Sequence, residues 1–379
     1  MRRFNLLSGV TCLVILIPLL TFSAIINVPG EQPTIQAGVD AAIEGDTVLV
    51  ADDTYTGDGN WDIDFHGKGL ILLSENGPEV TIIDCQGEEG DTLGHRGFYL
   101  HDPLPDWTTI DGFTIQYGSG PLPGSSGGGM LIEGTPLRIV NCIFKDNFGW
   151  TGGAILLDGI PDFAIVNIQY CVFIHNGAGY GGAIYADNMK ILGEYCTFYE
   201  NGAVNDAAHL YTVLSGSMFS NCIFAFGGGG GAFYSDNNYL AINNSDMYGN
   251  EGGDDHENLY CHIGECGNFS LDPLFCDTSI LDLHLAANSP CLPENNDIGE
   301  LVGYYDLACD GIYPCGDFNH DGVVNIVDIG VFIMCIYYGG LCPDPIDVLN
   351  INGDGSVNIF DVVYLISYLY LGGPAPICD

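Results

Sequence analysis

The sequence predicts a mainly-β chain wound as a parallel β-helix, with a capping helix over its first coil and a small helical module behind it. Three observations carry that prediction. A four-residue phrase recurs as Asn141-Cys-Ile-Phe144, Tyr170-Cys-Val-Phe173, Tyr195-Cys-Thr-Phe198 and Asn221-Cys-Ile-Phe224, with divergent copies at Phe113-Thr-Ile115 and Asn244-Ser-Asp-Met247. A second phrase keeps time with it: Gly152-Gly-Ala154, Gly181-Gly-Ala183, Ala207-Ala-His209 and Gly230-Gly-Ala232. Two oxygen-rich loops, starting at Asp317 and Asn350, stand 33 residues apart, each followed by an apolar run.

A period in the twenties with turn residues at fixed offsets marks a solenoid. The recurring phrase gives two columns: Phe113, Cys142, Cys171, Cys196, Cys222, Ser245, and Ile115, Phe144, Phe173, Phe198, Phe224, Met247. Both step by 29, 29, 25, 26 and 23 residues. Members two apart on a strand face the same side, so both columns read as ladders inside the coil. Short β-branched and aromatic runs broken by Asn and Gly favour strands over helices. Asp111, Asn141 and Asn221, placed before the ladder, suit a bend because such side chains tolerate the left-handed region.

Taken in order, the 379-residue chain opens with Met-Arg-Arg, the apolar run Leu6 to Leu20, and Thr21-Phe-Ser23. Residues 1–23 therefore read as a secretory signal, and no later segment is apolar and long enough to span a bilayer. Without them, five basic residues face 49 acidic ones, a net charge of −44. Such a field excludes nucleic acid and anionic membrane surfaces as partners and repels polyanions such as pectate unless metal bridges them. The 47% hydrophobic content excludes a disordered chain.

Residues 26–50 read as strand, turn, helix, strand. Pro33 opens the helix, Ile35, Val39, Ala42 and Ile43 fall at helical spacing, and Gly45-Asp46 closes it. A helix there covers an end that would otherwise recruit other strands. These residues, with Gly67-Lys-Gly-Leu-Ile-Leu-Leu-Ser74, Thr81-Ile-Ile-Asp84 and Ile110-Asp-Gly-Phe-Thr-Ile115, resemble the opening of right-handed parallel β-helix proteins of the pectin-lyase-like superfamily. The resemblance spans roughly residues 25–310 and implies a right-handed coil. It implies no single activity, because the superfamily holds lyases, hydrolases, isomerases and members without an assigned role.

The prolines and glycines of residues 100–127 suggest extruded loops, and the run Gly227 to Gly231 a tight bend. The period fades after Asp255, so residues 256–310 read as last coil and cap. Of fifteen cysteines, four lie in the ladder and most others follow residue 260, where local disulfides are the natural expectation in an exported chain. Zinc is the alternative, though no CxxC with a matching second pair appears. Connectivity is left open.

The strongest chemical signal lies beyond Cys315. Asp317, Asn319, Asp321, Asn325 and Asp328 occupy positions 1, 3, 5, 9 and 12 of a calcium-type loop, with Gly322 at position 6 and the Val323 carbonyl at position 7. Asn350, Asn352, Asp354, Asn358 and Asp361 repeat the pattern around Gly355, with Ser356 at position 7. The cofactor expected is Ca2+, two ions. Asp in place of Glu at position 12, with no helix entering either loop, resembles a dockerin type I domain. That resemblance implies docking onto a cohesin-like module of another protein. Positions 10 and 11 are Ile326-Val327 and Ile359-Phe360, where cellulosomal dockerins usually carry a small polar pair. A calcium-stapled stalk with no partner is the alternative. The expected domains are a signal at 1–23, the β-helix at 24–310 and the dockerin-like module at 311–379.

No catalytic residue is assigned. The mature chain offers only Lys68, Arg96, Arg138, Lys145 and Lys190 as cations, and Arg96 and Arg138 read as surface residues. Asp62 and Asp64 beside Trp61, and Asp254-Asp255-His256, read as solvated loops. Two functions remain: an exported β-helix that binds glycans or a cell-surface partner without catalysis, and a polysaccharide lyase or glycoside hydrolase assembled through its dockerin.

Overall fold

The computed structural model describes residues 23–87, 94–120, 126–159, 164–236, 240–313, 315–319, 323–338 and 349–377. The signal-like segment, save Ser23, and the loop residues Asp321 and Gly322 lie outside them. The chain divides into two compact units, residues 1–270 and 271–379.

The first unit is a right-handed parallel β-helix. Each full coil crosses a nine-stranded sheet, then an eight-stranded, a four-stranded and a six-stranded one. The phenylalanine column holds register without a slip: Ile115, Phe144, Phe173, Phe198, Phe224 and Met247 are successive partners. It also runs back through Ile83 to Tyr55. Phe144, Phe173, Phe198 and Phe224 stack at 5.1, 4.5 and 4.7 Å between ring centroids. Near-parallel rings follow from identical residues repeated at the strand spacing.

The cysteine column is fully buried and its members are thiols. Each sulfur faces the carbonyl two residues earlier: Cys142 to Val140, Cys171 to Gln169, Cys196 to Glu194 and Cys222 to Ser220, at 3.2 to 3.3 Å. Ser245 donates to the Asn243 carbonyl in the same way at 2.7 Å. From Cys142 on a small donor bonds this carbonyl, so Ser and Cys share the column; Phe113 fills the position in the coil before them. Burial pushes the thiols of Cys171 and Cys222 well above their ordinary range.

The corner before that column is left-handed at Asn141, Tyr170, Tyr195, Asn221 and Asn244, with φ between 49° and 55°. In the preceding coil the position falls to Gly112 (φ 86°), not to Asp111, which ends its strand. Tyrosine bears this conformation without the local hydrogen bonds open to Asn, and the rings of Tyr170 and Tyr195 stack on each other at 5.1 Å outside the coil.

A third ladder was not anticipated. Asn147, Asn176, Asn201 and Asn250 stand five residues after Cys142, Cys171, Cys196 and Ser245, and Gly227 interrupts them after Cys222. Asn147 Nδ2 donates to Asn176 Oδ1 and Asn176 Nδ2 to Asn201 Oδ1, at 3.0 and 2.9 Å. At the Gly227 gap His209 enters: Nδ1 faces Asn201 Nδ2 at 3.3 Å and Nε2 faces Asn250 Oδ1 at 2.8 Å. A Cβ on Gly227 would lie 2.9 Å from His209 Nε2, so the glycine makes room for the imidazole.

The expected capping helix, α1, spans Ile35–Ala41, with Thr34 Oγ1 accepting from Ala37 N. Gly38 lets it sit close, since a Cβ there would stand 2.7 Å from Val28 and 2.9 Å from Val48. Ile43, expected on the packed face, is 54% exposed because the helix ends at Ala41. The five-glycine run is not a simple bend: Gly228–Gly229 is the last strand of the four-stranded sheet. Within residues 100–127, Thr109–Asp111 and Thr114–Gln116 are strands rather than loop.

In the second unit Phe275–Asp277, Asp282–Ala286 and Leu307–Cys309 form a three-stranded sheet, crossed by the disulfide Cys276–Cys309. The first unit carries the disulfide Cys261–Cys266. Cys85, outside both the ladder and the late cluster, is buried in the β-helix core. Helices α2 (Ile326–Tyr338) and α3 (Ile359–Leu371) share a small core of Phe318, Ile329, Phe332, Leu349, Ile351, Val362 and Leu365. Cys335 in this core and Cys315 packed against it are each engaged in a disulfide.

Candidate functional site

The two oxygen-rich loops are built on one plan. Asp328, fully buried at position 12 of the first loop, accepts from Phe318 N and Asn319 N at 2.8 and 3.1 Å, and from Asn325 N at 2.8 Å. Asp361, fully buried in the second, accepts from Asn352 N at 3.2 Å and Asn358 N at 2.9 Å. Position 9 also repeats: Asn325 and Asn358 each donate to the position-7 carbonyl, of Val323 and Ser356, at 2.9 Å. Each then caps the following helix, accepting from Val327 N or Phe360 N at 2.8 Å.

A hard cation fits this donor set. A carboxylate offers about four lone-pair sites, so Asp328 and Asp361 keep capacity beyond the backbone bonds they accept. Asn350 Oδ1 is enclosed and accepts no hydrogen bond, a costly state for an amide oxygen unless something else binds it. Asp317 is buried at position 1 of the first loop. Asp354 is exposed, its carboxylate taken up by Ser356 N at 2.9 Å and Asn352 Nδ2 at 3.2 Å. Asp321 lies outside the described residues.

Both helices that leave these loops are apolar on two sides. One side packs inward. The other exposes Ile326, Val327, Met334 and Tyr338 on α2, and Ile359, Phe360, Val363 and Leu371 on α3, with Phe360 at 67% and Tyr338 at 73%. The offset of 33 residues places Ile326-Val327 and Ile359-Phe360 at equivalent starts of the two helices.

On the β-helix one member of each acidic pair, Asp62 and Asp255, is exposed as expected, while Asp64 and Asp254 are half-buried. Asp62 holds His95 Nδ1 at 2.6 Å and Arg96 N at 3.0 Å, and Trp61 stacks on His95 at 4.2 Å. Asp64 meets His66 Nδ1 at 2.8 Å, and ligand atoms of Asp64, His101 and Asp102 lie within 4.8 Å of one another. Arg96 is not a surface residue. It is half-buried, its Nε donates to the carbonyls of Ser126 and Gly127 at 3.2 and 3.0 Å, and it sits 5.7 Å from the Tyr99 ring. Burial lowers its pKa, against the pull of Asp62, Tyr99 and Glu133. Arg138 is exposed as expected. Asp254 is structural, accepting from Asn250 N and Nδ2 at 2.8 Å. Asp255 pairs with His262 Nδ1 at 2.9 Å, which raises the His262 pKa.

A feature the sequence reading passed over is a groove of about 570 Å³ on the outer face of the four-stranded sheet. Phe148, Trp150 and Val204 stand in it over a floor of glycine and alanine. The glycines at matching offsets, Gly177, Gly202 and Gly228, were the signal available.

Among known families, the Dockerin type I domain matches residues 315–370. The Chlamydia polymorphic membrane protein repeat matches residues 170–187, a segment from the Tyr170 corner to the end of the strand Ile184–Asp187. No curated protein matches the chain. The crystal structure of pectate lyase Pel9A superposes at a TM-score of 0.39 with 16% identity over 61% of this chain; the chain spans 64% of that structure's length. Dockerin type I domains bind calcium and dock onto cohesin modules. No helix among the described residues is long and apolar enough to cross a membrane.

Proposed function

We propose that this chain, a pectin-lyase-like parallel β-helix carrying a dockerin type I domain, is an exported glycan-binding protein held at its place of work by its dockerin. In this reading residues 1–23 are a cleaved signal, 24–310 are the β-helix and its cap, and 311–379 dock. Two calcium ions staple the docking module. The first is held by Asp317, Asn319, Asp321, Asn325, Asp328 and the Val323 carbonyl, the second by Asn350, Asn352, Asp354, Asn358, Asp361 and the Ser356 carbonyl. The ions supply cohesion, not chemistry: a small module with a thin core gains its order from them.

The observation that carries the docking half is the double apolar face of α2 and α3. An exposed Ile-Val and Ile-Phe pair at matching helix starts has no role inside this module. A cohesin-like partner would have to present an apolar surface to them rather than a polar one. The test is binding of the full chain to a panel of cohesin modules, with and without chelator. Calcium-dependent binding weakened by Phe360→Asp supports docking; no binding to any module in calcium leaves only the stapled stalk.

A second reading, a polysaccharide lyase or glycoside hydrolase, is favoured by the Asp64, His66, His101 and Asp102 cluster. It sets carboxylates beside imidazoles on one rim, where general acid and base groups could act. A reducing-end and double-bond assay over a polysaccharide panel decides. Turnover abolished by Asp64→Asn would install the enzyme; no turnover on pectate, alginate or neutral glycans leaves the binding protein.

A further inference from the structure

We propose that the groove on the four-stranded sheet is the glycan site and that it takes a neutral, unbranched polysaccharide segment, an inference that rests on the glycan-binding reading above. The outer face of this sheet is made of two short columns. One is Phe148, Gly177, Gly202, Gly228, successive partners across four coils. The other, two residues on, begins with Trp150 and Gly179 and continues to Val204.

The glycines are what make a groove out of a sheet face. A Cβ on Gly177 would stand 3.2 Å from the Phe148 ring, and one on Gly179 would stand 3.3 Å from the Trp150 ring. Both rings therefore lean over the next coil instead of standing up from the sheet. Farther along, the floor opens: a Cβ at Gly202 would meet only a carbonyl at 3.7 Å, and one at Gly228 would meet nothing within 4 Å. The result is a trough walled at one end by aromatic rings and floored by backbone.

Its chemistry selects the occupant. The chain carries 49 acidic residues, yet none of the described residues that line this groove is charged. A polyanion gains no cation here, and the carboxylate at the groove's end, Glu251, is taken up by Gly229 N at 3.0 Å, so a neutral ligand is favoured. Trp150 is 57% exposed and offers an indole to solvent at the groove wall. The C–H face of a pyranose is weakly positive and packs on such a ring. The same point above Gly179 lies 3.4 Å from Asn205 Nδ2, so an amide donor stands beside the indole for a sugar hydroxyl. An extended peptide fits less well: the strands of this face are paired with their neighbours, and strand addition needs an open edge rather than a face.

The experiment uses the full mature chain in calcium, with binding to soluble glucan, xylan and mannan and to pectate and alginate read by affinity electrophoresis and calorimetry. Two variants address the groove. Trp150→Ala removes the platform; Gly228→Leu fills the floor at a position with open space and no left-handed φ. The expected result is binding to at least one neutral polymer, weakened about tenfold or more by each variant at an unchanged melting temperature, a loss of about 1.4 kcal/mol. Neutral-polymer binding untouched by both variants overturns the groove and keeps the glycan reading. Binding to uronates alone overturns the groove's selectivity. No binding to any polymer overturns both.

Discussion

Acid should weaken the β-helix through one residue, His209. It is fully buried and bridges the interrupted asparagine ladder. Its neighbours dictate its tautomer. Asn201 Oδ1 already accepts from Asn176 N and Nδ2, and its Nδ2 donates to Phe173 O, so the Asn201 amide cannot turn around. That amide presents N–H to His209 Nδ1, which must accept, while Nε2–H donates to Asn250 Oδ1. A proton on Nδ1 would set donor against donor. Burial pushes the His209 pKa down to about 4, against the smaller opposing pull of Asn250 and Asp254. The unfolded chain takes up its proton near 6.5 and the folded one only near 4, so the stability from this residue is full above about pH 6.5 and drains as pH falls toward 4. With about 1.36 kcal/mol per pKa unit, the loss reaches about 3 kcal/mol at pH 4. The chain's many carboxylates also titrate there, so the assay is a difference. Urea unfolding of the wild type and His209→Gln is compared at pH 7, 6, 5 and 4. The neutral variant should start less stable at pH 7 and close the gap by about 3 kcal/mol at pH 4. A gap that stays constant with pH, or a His209 ring resonance titrating near 6.5, would refute the argument.

Three further outcomes follow from named contacts. As calcium is withdrawn, the second loop should empty before the first, because its side chains offer Asp354 and Asp361 against Asp317, Asp321 and Asp328; residue-resolved spectra identical with and without chelator would contradict this. The thiols of Cys142, Cys171, Cys196 and Cys222 should resist labelling in the native protein. Cys171→Asp should cost roughly 3–5 kcal/mol, whereas Cys196→Ser should be mild because Ser245 already makes the same bond, and equal losses would defeat the donor-column account. Gly227→Ala should destabilise by about 1–3 kcal/mol, since its methyl would lie 2.7 to 2.9 Å from Ala208, His209 and Asn250; an unchanged unfolding midpoint would show that the ladder can relax.

How far the sequence reached depends on what kind of information each feature needs. The phenylalanine and cysteine columns were legible because identical residues at one period can satisfy only one register, and a slip of one residue would turn every ring outward. The calcium-type loops were legible because their oxygens fall at fixed positions along one short segment. The asparagine ladder was nearly as periodic, five residues after Cys142, Cys171, Cys196 and Ser245, yet it looked like ordinary turn chemistry among many asparagines. His209 was seen only as a departure from Gly-Gly-Ala; that it fills the gap left by Gly227, eighteen residues on, needs the coil to bring the two together. The Asp64 cluster is hidden for the same reason, since Asp64 and His101 meet only when consecutive coils are stacked.

The groove shows the deeper limit. Its signal is an absence of side chains, and glycine in a sequence reads first as a bend; Gly228 and Gly229 were expected to turn the chain and instead form a strand. A column of glycines becomes a floor only if neighbouring coils hold it in register, which the buried Phe144, Phe173, Phe198 and Phe224 stack on the adjoining sheet does. The ladder that organises the core thus also sets where the outer face is bare. If so, a change that loosens the ladder without touching the groove, such as Phe198→Ala, should cost about 3–5 kcal/mol in stability and should also weaken glycan binding. Binding that survives this change at full strength would show that the groove is held by its own strands rather than by the core beneath.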